Sequence, residues 1–171
     1  MNPDLLKRLE QALFGQKLVT NSMRGVLVEA MLAQVLEPEW RWCSADWASH
    51  DFENADGVRL EVKQSAALQS WHRPDDSPSR GSFDIAPRTG RYEGARWLDE
   101  PGRVAQIYVF AWHPIADHDL ADHREPSQWQ FFAVRADDLP DQKTIARSRV
   151  AALAKPCSID QVAAEVSALL G

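Results

Sequence analysis

The sequence predicts one α/β or α+β domain built around a mixed central β-sheet flanked by helices. Element order is the first reason: two helices, three strands, two further strands and a terminal helix follow along the chain. Size is the second, since 171 residues fill one sizeable core and fall short of two full domains. Composition is the third. With 44% hydrophobic and 26% charged residues, the chain has the balance of a folded protein and not of a disordered one.

Asn2-Pro3-Asp4 reads as a cap, a proline at the first helical position and an acid in the first turn. Leu5, Leu6, Leu9 and Leu13 then share one face of a helix over 3–14, which Gly15 ends. A second helix runs from Asn21 or Ser22 to about Leu36, stopped by Pro38. Period-2 stretches follow at Ala48–Asn54 and Val58–Gln64, with a short strand at Ser82–Ala86. Val104–Trp112 and Gln128–Val134 are strands rich in aromatic and β-branched residues, and the core is expected to span 21–135. Ser158 and Gln161 form a capping box that opens a last helix over 158–170, with Val162, Val166 and Leu169 on its apolar side.

Composition also narrows the function. The formal net charge of −6 counts against broad, non-specific coating of DNA, although a local basic groove is compatible with it. The longest apolar run, Val104 to Trp112, is too short to span a bilayer, and no signal peptide is visible. Cys43 and Cys157 belong to no CxxC pattern. The expectation is a reduced, cytoplasmic protein with no membrane partner.

Residues 50–63, HDFENADGVRLEVK, carry the chemistry. A three-residue loop, Ala55-Asp56-Gly57, with Gly57 left-handed, puts Phe52, Leu60 and Val62 on one face of a hairpin. Ser49, Asp51, Glu53, Arg59, Glu61 and Lys63 then share the other, and Glu53 faces Arg59. A two-residue loop would set Asp51 against Leu60 and reverse one strand's faces, so the longer loop is preferred. In that register Asp51 lies opposite Glu61, an arrangement that destabilises a sheet unless a cation intervenes or one acid is protonated. Two carboxylates are what Mg2+ uses as hard oxygen ligands, and an ammonium beside them can hold a water. Taken alone, the hairpin is equally well explained by a wet polar face in which Lys63 neutralises its neighbours.

Glu29 tips the balance. On the second helix it is surrounded by Gly25, Val26, Leu32, Ala33 and Leu36, with no Lys or Arg three or four positions away. A carboxylate there needs a cation or donor from elsewhere in the fold. Gly25 and Ala33 would tolerate a solvent-facing arc; Leu32 and Leu36 oppose one.

An acid in a helix, an Asp on a strand and E-x-K on the next strand resemble the PD-(D/E)XK, or restriction-endonuclease-like, nuclease superfamily. The matching stretches are NSMRGVLVEAML, SHDF and RLEVKQS, within roughly residues 21–112. The proline that names the motif is His50 here. Asp56 also precedes Glu61 at a plausible spacing, but Asp-Gly belongs in the turn, so Asp51 takes the role. The resemblance implies a restriction-endonuclease-like fold and Mg2+-dependent hydrolysis of phosphodiester bonds, most readily in DNA, with Mn2+ as a substitute. It implies that Asp51 and Glu61 hold the metal with the Val62 carbonyl, and that Glu29 completes the acids directly or through water. Lys63 would orient the attacking water. Gln64, whose alternation points it towards the core, would support the site. Since one active site cuts one strand, a homodimer or a partner protein is expected. The alternative is an inactive nuclease-fold module that serves as a scaffold.

Between 65 and 103 the sequence offers Gln69, Trp71, Arg73, Arg80 and Arg88 as substrate contacts, on loops whose acids match their bases in number. The DHDLADHRE segment at 117–125 matches no zinc spacing and reads as a solvated loop. No phosphate loop, nucleophile elbow or HExxH motif is present.

Overall fold

The computed structural model describes residues 2–43, 48–93 and 95–171. Two helices come first, α1 (Pro3–Phe14) and α2 (Asn21–Leu36). The Asn2 side chain accepts from the Asp4 N–H, as the sequence predicts for a cap. α2 stops where Glu37 turns extended before Pro38.

A five-stranded sheet forms the centre. Its strands are β1 (Trp40–Trp42), β2 (Phe52–Asn54), β3 (Arg59–Ala66), β7 (Ile107–His113) and β8 (Gln130–Arg135), in spatial order β1-β2-β3-β7-β8. Only β3 and β7 pair in parallel; the other neighbours are antiparallel. The sheet is therefore mixed, and the protein is an α/β fold with four α-helices among the described residues.

β7 explains the arrangement of layers. It is buried at all seven positions, as a central strand covered on both faces must be, which is why IYVFAWH reads as an unbroken apolar run. Ile107, Val109 and Ala111 join Val28, Leu32 and Leu36 of α2 and Val162 and Val166 of the last helix, α4 (Val162–Ala168), in one core. Tyr108, Phe110 and Trp112 pack on the opposite side with Phe83, Ile145 and Val150. Phe83 and Ile145 belong to a small sheet of β4 (Ser82–Asp84) and β9 (Thr144–Ala146), and Val150 to α3 (Arg147–Leu153). A separate hairpin, β5 (Arg91–Glu93) with β6 (Arg96–Leu98), completes the fold.

Several expectations need correcting. The strand predicted from Ala48 begins only at Phe52: Asp51 still bonds through its backbone to Leu60 and Cys43 but forms no regular rung of the ladder. The segment around Ser82 leaves the central sheet to pair with β9. β1, β9, α3 and the β5–β6 hairpin are short elements without a sustained period, and the sequence does not announce them. The last helix opens through a 3-10 turn at Ile159–Gln161, although the Ser158–Gln161 capping box is present. The apolar stripe of α1, Leu5, Leu6, Leu9 and Leu13, is exposed along its length. The 117–125 segment is not wholly solvated either, since His123 is fully buried and its Nδ1 accepts from the Val19 N–H.

Candidate active site

The site forms where β2 ends and β3 runs on paired only with β7. The hairpin closes as its sequence demands: Gly57 has a φ of 75°, and Asn54 Oδ1 accepts from both Asp56 and Val58 N–H groups. Phe52 pairs with Leu60 and Glu53 with Arg59, which fixes the register and buries Phe52, Leu60 and Val62 together. Past Leu60, β3 loses this neighbour. Asp51 does not continue the ladder as a regular rung opposite Glu61. Its N–H bonds to the Leu60 carbonyl, and its carboxylate Oδ2 accepts the Val62 N–H at 2.6 Å. The Val62 carbonyl leaves the strand on that same edge, because the N–H and C=O of one strand residue point the same way.

The acids still act on one another. Lys63 Nζ donates to Glu61 Oε1 in a half-buried ion pair. Glu29, half-buried on α2, accepts from Trp42 Nε1 at 3.1 Å through Oε2. Burial, followed by Glu61 and then Glu29, pushes the Asp51 carboxyl up from 3.8 to about 8, against the pull of the Val62 N–H and Lys63. Burial is also the main cause that raises Glu29, and Glu61 adds to it. Three carboxyls from α2, β3 and the approach to β2 thus feel one another, with one ammonium among them. Ionising all three together is therefore costly.

Hard oxygens in excess of their cations are the donor chemistry that a divalent ion of the Mg2+ kind takes, but the ligand atoms of Asp51, Glu61 and Glu29 do not form a group within 4.8 Å of one another. A second donor group, Cys43 Sγ, a His50 ring nitrogen and a Glu53 oxygen, lies within 4.8 Å of itself. It already has its countercharge, for Glu53 holds Arg41 at 2.7 Å and Arg59 at 3.6 Å.

Gln64 is bonded to a residue that sequence reasoning missed. Arg24, 1% exposed, donates from Nε to Gln64 Oε1 (2.6 Å) and from Nη2 to Asn21 Oδ1 (2.8 Å) and Gln69 Oε1 (2.9 Å). The network ties α2 to β3, and hence Glu29 to Lys63. Its signal was legible: Arg24, Val28, Met31 and Leu32 fall on one helical face, so the lone base sits in line with the buried stripe.

The expected substrate contacts divide. Gln69 receives Arg24 and donates to the Ala66 carbonyl, while also lining the same cleft as Trp71. Trp71 is exposed and lines a cleft of about 590 Å3 whose other walls include Lys63 and Gln64. Arg88 lines a cavity of about 310 Å3 that reaches Asp51 and Glu61, alongside Tyr92 and Trp97, which the sequence did not single out. Arg73 and Arg80 are exposed. No helix among the described residues is long and apolar enough to cross a membrane. No protein-family model, curated protein or solved structure matches the chain.

Proposed function

We propose that the protein is a Mg2+-dependent nuclease of restriction-endonuclease-like fold that hydrolyses phosphodiester bonds in DNA. The observation that carries this reading is that burial and the charges of Glu61 and Glu29 act together on Asp51, with Lys63 paired to Glu61 beside it. The order of elements supports it: an acid-bearing helix, an antiparallel hairpin carrying Asp and E-x-K, then a parallel return strand.

Asp51 and Glu61 would hold the ion with the Val62 carbonyl, and Glu29 would meet it directly or through water. Bound Mg2+ supplies charge stabilisation at the phosphate and lowers the pKa of a coordinated water. Glu61 fixes the Lys63 ammonium, and that ammonium orients the attacking water. Water oxygen forms the new P–O bond as the bond to the leaving sugar oxygen breaks.

The test is cleavage of plasmid, single-stranded DNA and RNA by purified protein, with and without Mg2+ or Mn2+. Cleavage should require metal and fall roughly 100-fold or more in Lys63→Ala. Equal cleavage by wild type and Lys63→Ala would sink the proposal. A second reading, an inactive module of the same fold, draws on the exposed leucine stripe of α1 and the net charge of −6. Metal binding without cleavage of any of these substrates would favour it.

A further inference from the structure

The cavity of about 310 Å3 beside the acids combines two chemistries. Asp51 and Glu61 form one wall, and Tyr92 and Trp97, projecting from the β5–β6 hairpin, form another. The rings meet edge to face, with centroids 5.1 Å apart and planes at 67°. Despite that contact, Trp97 stays 48% exposed and Tyr92 37%. Large aromatic faces left open to water are costly unless something covers them part of the time.

Trp97 is also held in place. A Cβ on Gly90 would lie 2.4 Å from the indole, so the ring rests on bare backbone that only glycine provides. Arg88 stands at the mouth, paired with Asp84 at 3.2 Å, with both side chains half exposed or more. A pair that wet holds its guanidinium weakly and can yield it to a phosphate.

We propose that this cavity is a nucleobase subsite: the base of a nucleotide next to the scissile phosphate stacks on the Tyr92–Trp97 wall, and Arg88 takes a neighbouring phosphate. The inference rests on the nuclease reading of the adjoining acids and names its substrate class. In a duplex, stacked neighbours cover both faces of a base, so a base can lie on this wall only when it is out of the stack. The favoured substrate is therefore single-stranded, or the frayed end of a duplex.

The experiment uses a fluorescein-labelled single strand, its duplex, and the same strand with abasic tetrahydrofuran residues. Cleavage is followed in Mg2+, and binding by anisotropy in Ca2+. Wild type should prefer the single strand to the duplex and to the abasic strand. Trp97→Ala should lose roughly tenfold in both kcat/KM and affinity on the single strand. Trp97→Phe should keep most of both, and Trp97→Ala should match wild type on the abasic strand. Equal loss by Trp97→Ala on normal and abasic strands, or no loss on either, overturns the subsite while leaving the nuclease reading intact. Absence of cleavage by wild type overturns the nuclease reading instead. The anisotropy arm still decides the subsite in that case, supporting it if binding depends on both Trp97 and the base.

Discussion

Replacing Asp51 with Asn removes a charge and keeps the shape. The amide oxygen can still accept the Val62 N–H that Oδ2 takes at 2.6 Å, so the strand edge should be undisturbed. What changes is the electrostatic cost. The Asp51 carboxyl rises from 3.8 to about 8 because burial and two neighbouring acids oppose its ionisation. The folded state therefore keeps a proton that the unfolded chain releases near 3.8. Stability is full below that value and declines as pH rises towards 8. Taken whole, the displacement is worth roughly 6 kcal/mol, but three acids share it, so about 2–3 kcal/mol falls to this substitution. For a domain of this size that is about 5–10 °C in Tm. Thermal unfolding in EDTA should show Asp51→Asn more stable than wild type near pH 8, with the gap closing towards pH 4. Mg2+ should raise the Tm of wild type and leave the variant nearly unmoved. A variant no more stable than wild type at pH 8 would refute the reasoning, because the acids would then not be crowded.

Two other predictions concern the scaffold. Arg24→Ala removes three hydrogen bonds and strands the acceptors of Gln64 and Gln69, and should cost about 3 kcal/mol in urea unfolding; a cost below about 1 kcal/mol would mean that the network does not tie α2 to β3. Burial, then Arg24 and His113, pushes His123 down to about 3, so its contribution is present above about 6.5 and lost as pH falls from there towards 3. Wild type should lose about 2 kcal/mol more than His123→Asn between pH 7 and 5, read from urea midpoints, and parallel losses would contradict the assignment.

The sequence made the hairpin legible because its register depends on local rules. Gly57 had to be left-handed, and only one loop length kept Phe52, Leu60 and Val62 on a common face. Glu29 was legible as an acid without a partner on its own helix; its partner, Trp42 Nε1, comes from a three-residue strand too short to show a period. Asp51 was placed in the right neighbourhood for an incomplete reason. The like-charge conflict with Glu61 was foreseen, but the end of pairing at Phe52 was not, and that break frees the carboxylate to reach the Val62 N–H. The partners of Gln69 were not legible, because a polar residue in a loop reads as surface, whereas here it also serves a buried guanidinium. The leucine face of α1 was legible, and its exposure was not. A periodic apolar face says that a surface wants covering and not what covers it.

The central claim is that one divalent ion belongs at the edge of β3 between Asp51 and Glu61. An anomalous difference map from crystals soaked in Mn2+ tests this directly. The account predicts a peak bonded by both carboxylates and the Val62 carbonyl, lost in Asp51→Asn. A map with no peak there, or with its peak at Cys43, His50 and Glu53 instead, would contradict it.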